Sequence, residues 1–145
     1  MSKRTGRGTN ESAFTRWFCE QLEHVNAVTI AIVANTMGRS GLPDRYVCHR
    51  RFRGWLEFKK NDARLSVAQR LTLDELAERG DTVMVVRIVR DDWVVAETTS
   101  RHELATADLC AMRVMDDRER ALACLDLLVR ARDGNIELCK TSKLP

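Results

Sequence analysis

Asp44, Glu57 and Lys59 are the residues of this 145-residue chain whose types and spacing best suit a chemical step. Glu57 follows Asp44 by 13 positions, and Lys59 follows Glu57 by two. Carboxylates supply the hard oxygen ligands that a divalent ion such as Mg²⁺ or Mn²⁺ takes. An ion held by few protein groups keeps positions open for a phosphate oxygen and a water, as phosphodiester hydrolysis requires. A lysine on the same surface can orient that water and offset charge developing on the phosphate. Phe58, between Glu57 and Lys59, can add its backbone carbonyl while burying its ring.

The elements around these residues must bring them together. Trp55 to Lys59 (WLEFK) predicts a strand, with Leu56 and Phe58 on one face and Trp55, Glu57 and Lys59 on the other. Side chains two apart stand about 6.6 Å from each other along a strand, so Glu57 and Lys59 are neighbours on a face expected to be open to substrate. An ordinary amphipathic edge strand has the same pattern. Asp44 follows a Gly-x-Pro turn at the entrance to a strand beginning near Tyr46–Cys48. A basic turn, Arg50 to Gly54, then allows an antiparallel return that carries Glu57 back to Asp44.

Upstream, Phe14, Phe18, Leu22 and Val25 recur at helical spacing and predict a helix over 11–25. Glu11 projects onto the same side one turn earlier, where it either reaches into a cleft or simply complements the helix dipole. Val28 to Val33 (VTIAIV) reads as a buried strand, and 35–43 reads as a loop. Ser66 and Gly80 bracket a helix whose apolar surface is expected from Val67, Leu71 and either Leu73 or Leu76. Thr82 to Ile88 predicts a further buried strand, so strand, helix and strand fit a crossover on a mixed sheet. Asp91–Asp92 precedes a short strand over 93–97. Ser100 with Glu103 has capping-box spacing and predicts a helix start. Ala121, Leu122, Leu125, Leu128 and Val129 predict a last long helix before Gly134. Residues 91–145 either complete the fold or form a partner surface.

The ordered set GLPD (41–44), WLEFKK (55–60) and RLSVAQ (64–69), followed by helix, glycine and strand, resembles the PD-(D/E)XK nuclease superfamily. More narrowly it is similar to the VRR-NUC branch, with its relatives among phage nucleases and archaeal Holliday-junction resolvases. The likeness covers residues 11–88, within a core motif region of 11–90. It implies an α/β fold with a restriction-endonuclease-like central mixed β-sheet flanked by helices. It also implies a Mg²⁺- or Mn²⁺-dependent endonuclease acting on DNA, structured or branched DNA included. By the same resemblance, Asp44, Glu57 and the Phe58 carbonyl bind the ion, Lys59 positions the water, and Glu11 contributes from the first helix. Gln69 resembles a position that supports the site or the substrate. The arginine-rich 46–54 linker and the stretch beyond Arg90 have no counterpart in the pattern.

Composition bounds the partners. Apolar residues make up 44% and charged residues 31%, an ordinary globular balance. No stretch approaches the roughly 18 consecutive apolar residues of a membrane span, so no membrane partner is expected. Five cysteines without a CxxC pair argue against a disulfide framework and point to a reducing interior, and the resemblance to phage nucleases implies the cytoplasm of a bacterial or phage-infected cell. The length suits one domain over 10–145, preceded by a basic leader over 1–9 expected to be flexible. Net charge is only +3, but Arg45, Arg50, Arg51, Arg53 and Lys60 are expected to gather around the carboxylates and meet phosphate. A solvated basic surface is the alternative.

His24, His49 and His102 lack metal-ligand spacing, and no GxxxxGK[ST] phosphate loop occurs. Cys48 and His49 are adjacent on a strand and face opposite ways, which excludes a catalytic pair. The competing function is a noncatalytic nucleic-acid-binding or phage interaction protein that retains a nuclease-like fold. Cutting both strands of a duplex with one site calls for a homodimer or sequential events, and the last helix is a possible dimer surface.

Overall fold

The computed structural model describes residues 10–33 and 39–134. The leader 1–9, part of the loop expected over 35–43, and Cys139 lie outside them. The elements are α1 (Glu11–Glu23), β1 (Val28–Ala31), β2 (Arg45–His49), β3 (Phe52–Lys60), α2 (Val67–Glu78), β4 (Val83–Val89), β5 (Trp93–Thr98), β6 (Leu104–Asp108), α3 (Leu109–Arg113) and α4 (Asp117–Asp133). The fold is α/β, a mixed sheet of six strands in sequential order flanked by helices. Only β3 and β4 pair in parallel, and α2 forms the crossover between them. The remaining neighbours are antiparallel.

Alternation along the central strands separates two cores. Phe52, Leu56 and Phe58 of β3 join Met84, Val86 and Ile88 of β4 on the face covered by α1, α3 and α4. Val83 and Val85 turn to the other face, where Leu73 of α2 covers them and Trp55 packs at the side. The VMVVRIV run of β4 therefore has apolar residues pointing both ways, as a doubly covered strand demands.

Phe14 and Phe18 meet the Phe58 ring edge-on, each with centroids 5.8 Å apart. Aromatic pairs of this geometry add about 0.5–1.5 kcal/mol beyond the area they bury. They fix α1 over the C-terminal end of β3. Asn10 caps α1 by accepting from the Ala13 N–H at 2.7 Å, so Glu11, one turn before Phe14, lies at the same end of the sheet.

Several expectations change. VTIAIV is not a buried strand: β1 is the sheet's edge, and no helix covers Val28 and Ile30, which are 58% and 49% exposed. The basic turn contracts to Arg50–Arg51, because β3 begins at Phe52. On α2 the inward stripe is Gln69, Thr72, Leu73 and Leu76, whereas Val67 and Leu71 are 76% and 63% exposed. No helix starts at Ser100. The Glu103 N–H donates to Thr98 Oγ1, and Thr98 N–H to the Glu103 carbonyl, closing a β5–β6 hairpin. The C-terminal third completes the fold. Cys124, Leu125, Leu128 and Ala131 of α4 are buried in the main core and Ala121 is buried as well, with Leu122 facing out. Among the described residues no helix is long and apolar enough to cross a membrane.

Candidate active site

The antiparallel register of β2 and β3 ends at Arg45↔Leu56, and one further step sets Asp44 opposite Glu57. The hairpin therefore provides the expected return. Asp44 Oδ2 accepts from the Phe58 N–H at 2.8 Å, which pins its carboxylate to β3. In a strand a residue's N–H and C=O face the same neighbour, so the Phe58 carbonyl is directed to Asp44's side as well. The turn before Asp44 is held from behind. Gly41 adopts φ +79°, and a Cβ there would lie 2.2 Å from the Ala68 carbonyl oxygen of α2. Thr72 Oγ1 donates to the Ser40 carbonyl at 3.1 Å.

Glu57 occupies a different setting from the one expected. Its face of the sheet is not open, because the first turn of α2 lies over it, and the residue is only 2% exposed. Oε2 accepts from Gln69 Nε2 at 2.9 Å, with Lys59 Nζ at 3.8 Å. Oε1 is buried and meets no hydrogen-bond donor at bonding geometry among the described residues, although the Asp44 backbone N–H is close enough to favour the charged form of the carboxyl. Burial raises the Glu57 carboxyl to about 7, the nearby Asp44 charge pushes the same way, and Lys59 offsets part of the rise. The Glu11 charge at the start of α1 pushes it the same way, less strongly than Asp44.

Gln69 is placed by two duties. Ser66 and Gln69 form a capping box: Gln69 N–H donates to Ser66 Oγ at 3.1 Å, and Ser66 N–H to Gln69 Oε1 at 2.9 Å. With Oε1 committed to the cap, Nε2 is turned toward Glu57.

Glu11 and Asp44 line one cleft of about 260 Å³ together with Ser12, Thr15, Arg16 and Arg45. The structure thus gathers Asp44, Glu57, Phe58, Lys59, Gln69 and Glu11 at one end of the sheet. It does not gather all the expected basic residues there. Arg45 lines the cleft, with its guanidinium donating to the Asp44 carbonyl at 3.1 Å. Lys60 ends β3 beside the site. Arg50 and Arg51 lie in the turn at the opposite end of the hairpin, where Arg51 pairs with Asp126 of α4. Arg53 is on β3, four residues before Glu57 and nearer that turn. His49 is a structural tie, its Nε2 3.0 Å from the Val25 carbonyl and its Nδ1 accepting from the Arg51 N–H. Sequence reasoning missed Arg16. The available signal was helical: Glu11, Ser12, Thr15 and Arg16 share a polar face bordering the phenylalanine stripe.

A divalent ion suits this donor set. An orphaned buried carboxylate oxygen, a second carboxylate opposite it and a carbonyl directed to the same side are all hard oxygens. Among the described residues no group of three or more His, Cys, Asp or Glu is arranged as an ion cage. No family model matches the chain, and no curated protein or solved structure matches it either.

Proposed function

We propose that the protein is a Mg²⁺- or Mn²⁺-dependent nuclease of the PD-(D/E)XK type that hydrolyses DNA phosphodiester bonds. The observation that carries this reading is the buried Glu57 carboxylate, with one oxygen unpartnered among the described residues, opposite Asp44 and beside Lys59. The ordered sequence set around it and the β3–α2–β4 parallel crossover on a mixed sheet support a restriction-endonuclease-like fold. Under this reading the chain works in the cytoplasm of a bacterial or phage-infected cell.

Asp44, Glu57 and the Phe58 carbonyl would hold the ion, with Glu11 contributing from across the cleft. The bound ion supplies Lewis-acid stabilisation of the phosphate and lowers the pKa of attacking water. Gln69 fixes the rotation of Glu57, leaving Oε1 to the ion. The Lys59 ammonium orients the water and offsets negative charge as the water oxygen joins phosphorus. As the water oxygen bonds to phosphorus one P–O ester bond breaks, the water gives up a proton to solvent, and the departing oxygen takes one from solvent. Two strands require two copies or two events. The buried stripe of α4 is already used by the core, so a homodimer must employ another surface.

A noncatalytic nucleic-acid-binding protein or phage interaction protein on the same scaffold is the second reading, favoured by the lack of a three-residue ion cage among the described residues. Labelled linear, nicked, flapped and four-way DNA, incubated with and without Mg²⁺ or Mn²⁺, separates the two. Cleavage that needs the ion and falls about 10²-fold or more in folded Asp44→Ala and Lys59→Ala variants is expected. Binding without cleavage of any of these DNAs supports the second reading.

A further inference from the structure

The cleft on the α1 side of Asp44 has a chemistry beyond ion binding. Its volume of about 260 Å³ is many times the roughly 30 Å³ share of a water, enough for a sugar-phosphate unit. Its two acids, Glu11 and Asp44, belong to the ion. Its two guanidinium groups differ in their commitments. Arg45 is partly buried, donates to the Asp44 carbonyl and lies against Cys19 of α1, so it holds β2 to the helix. Arg16 is exposed and makes no ion pair among the described residues. The Thr15 hydroxyl is spent on the Glu11 carbonyl at 2.8 Å. Ser12, one turn before Arg16 on the same helix face, is exposed and lines the same cleft.

We infer that Arg16, assisted by the Ser12 hydroxyl, binds the nucleic-acid backbone phosphate next to the one being cut. This rests on the nuclease reading and deepens it, because it fixes the side from which the substrate strand passes the ion. The strand runs along the N-terminal turns of α1 and away from the Arg50–Arg51 turn. That turn lies five residues along β2 from Arg45, about 17 Å at strand rise. An arginine fork suits a phosphate because its planar N–H donors match paired oxygens. A guanidinium without an ion pair among the described residues, the two acids and the room between them occur together in this cleft.

The test compares Arg16→Ala, Arg16→Lys, Arg50→Ala and Arg53→Ala, since the three alanine variants remove the same charge from different places. Binding of a fluorescein-labelled DNA duplex is measured across a salt series in Mg²⁺, in a Lys59→Ala background so that the DNA stays intact. Cleavage is measured without that background. Arg16→Ala is expected to weaken binding roughly tenfold and to lower the log–log salt slope by about one. Arg16→Lys retains the slope with a smaller loss, and Arg50→Ala and Arg53→Ala stay within about twofold of the parent. Cleavage by the wild type with Arg16→Ala matching the Arg50 and Arg53 variants overturns the inference and leaves the nuclease reading intact. No cleavage by the wild type, with binding lost only in Arg16→Ala, keeps the phosphate site and overturns the nuclease reading. No cleavage and no selective loss overturns both.

Discussion

Glu57 is a carboxylate folded where its charge is unwelcome, and that has a pH signature. Its carboxyl is held at about 7 against an ordinary 4.5. Between those values the folded chain keeps a proton that the unfolded chain has released, so stability falls as pH rises across that window. Glu57→Gln removes the ionisation. In EDTA at pH 8 it is expected to gain on the order of 2 kcal/mol, or about 4–8 °C in melting temperature for a chain of this size. At pH 4, below the ordinary carboxyl value, where both folded and unfolded chains keep the proton, the gain nearly vanishes. A shift equal at both pH values, read by differential scanning calorimetry, contradicts this account. Mg²⁺ must displace the same proton, so its affinity is expected to rise between pH 6 and 8, with proton release seen by calorimetry in two buffers of different ionisation heat. The facing of Glu57 and Lys59 was legible from alternation alone. Its burial was not, because nothing local says that a helix beginning ten residues later will close over it. The arginines misled for a similar reason: closeness in sequence across a hairpin places Arg45 and Arg51 at its two ends.

Among elements, the loop before Asp44 and the start of α2 depend on each other. Gly41 has φ +79° and abuts the α2 backbone, so any side chain there strains its own backbone and pushes the helix away. Gly41→Ala is expected to cost about 1–3 kcal/mol from backbone conformation alone. The urea midpoint should fall, and Mg²⁺ affinity should weaken with it because Asp44 is displaced. A variant with unchanged midpoint and affinity rules this out. The existence of α2 was readable from Ser66 and Gly80, but its inward face was not. Val67 and Leu71 sit four apart, the spacing of a core stripe, while the true stripe contains Gln69 and Thr72, whose polar groups find partners. The Ser100–Glu103 signal failed because the spacing of a capping box also fits a hairpin in which Thr98 supplies the closing bonds. The edge position of β1 could not be read, since strand order is a property of the whole sheet.

For the whole molecule, residues 91–134 are structural. The sheet continues through β5 and β6, and α4 packs its inner face into the core that also holds α1. A chain ending at residue 90 lacks that cover and is expected to lose its cooperative thermal transition. Leu125→Ala, a truncation at a side chain 1% exposed, should cost about 2–5 kcal/mol. Far-UV circular dichroism and tryptophan fluorescence should report the same urea midpoint, because one core spans both halves. Separated midpoints would show two units instead. The crossover was legible from strand, helix and strand in order. The likeness to known nucleases ended near residue 88 in sequence, yet residues far beyond it hold the site's scaffold together.

The amide of Gln69 has a meaning for anyone writing sequences onto this backbone. At the third helical position a glutamate closes a capping box as readily as a glutamine, so foldability alone is indifferent between the two. Here the second terminus of the side chain must donate a hydrogen to Glu57, and only the amide has one to give. A design procedure scoring helix starts would treat the two letters as synonyms. The fold treats them as different words.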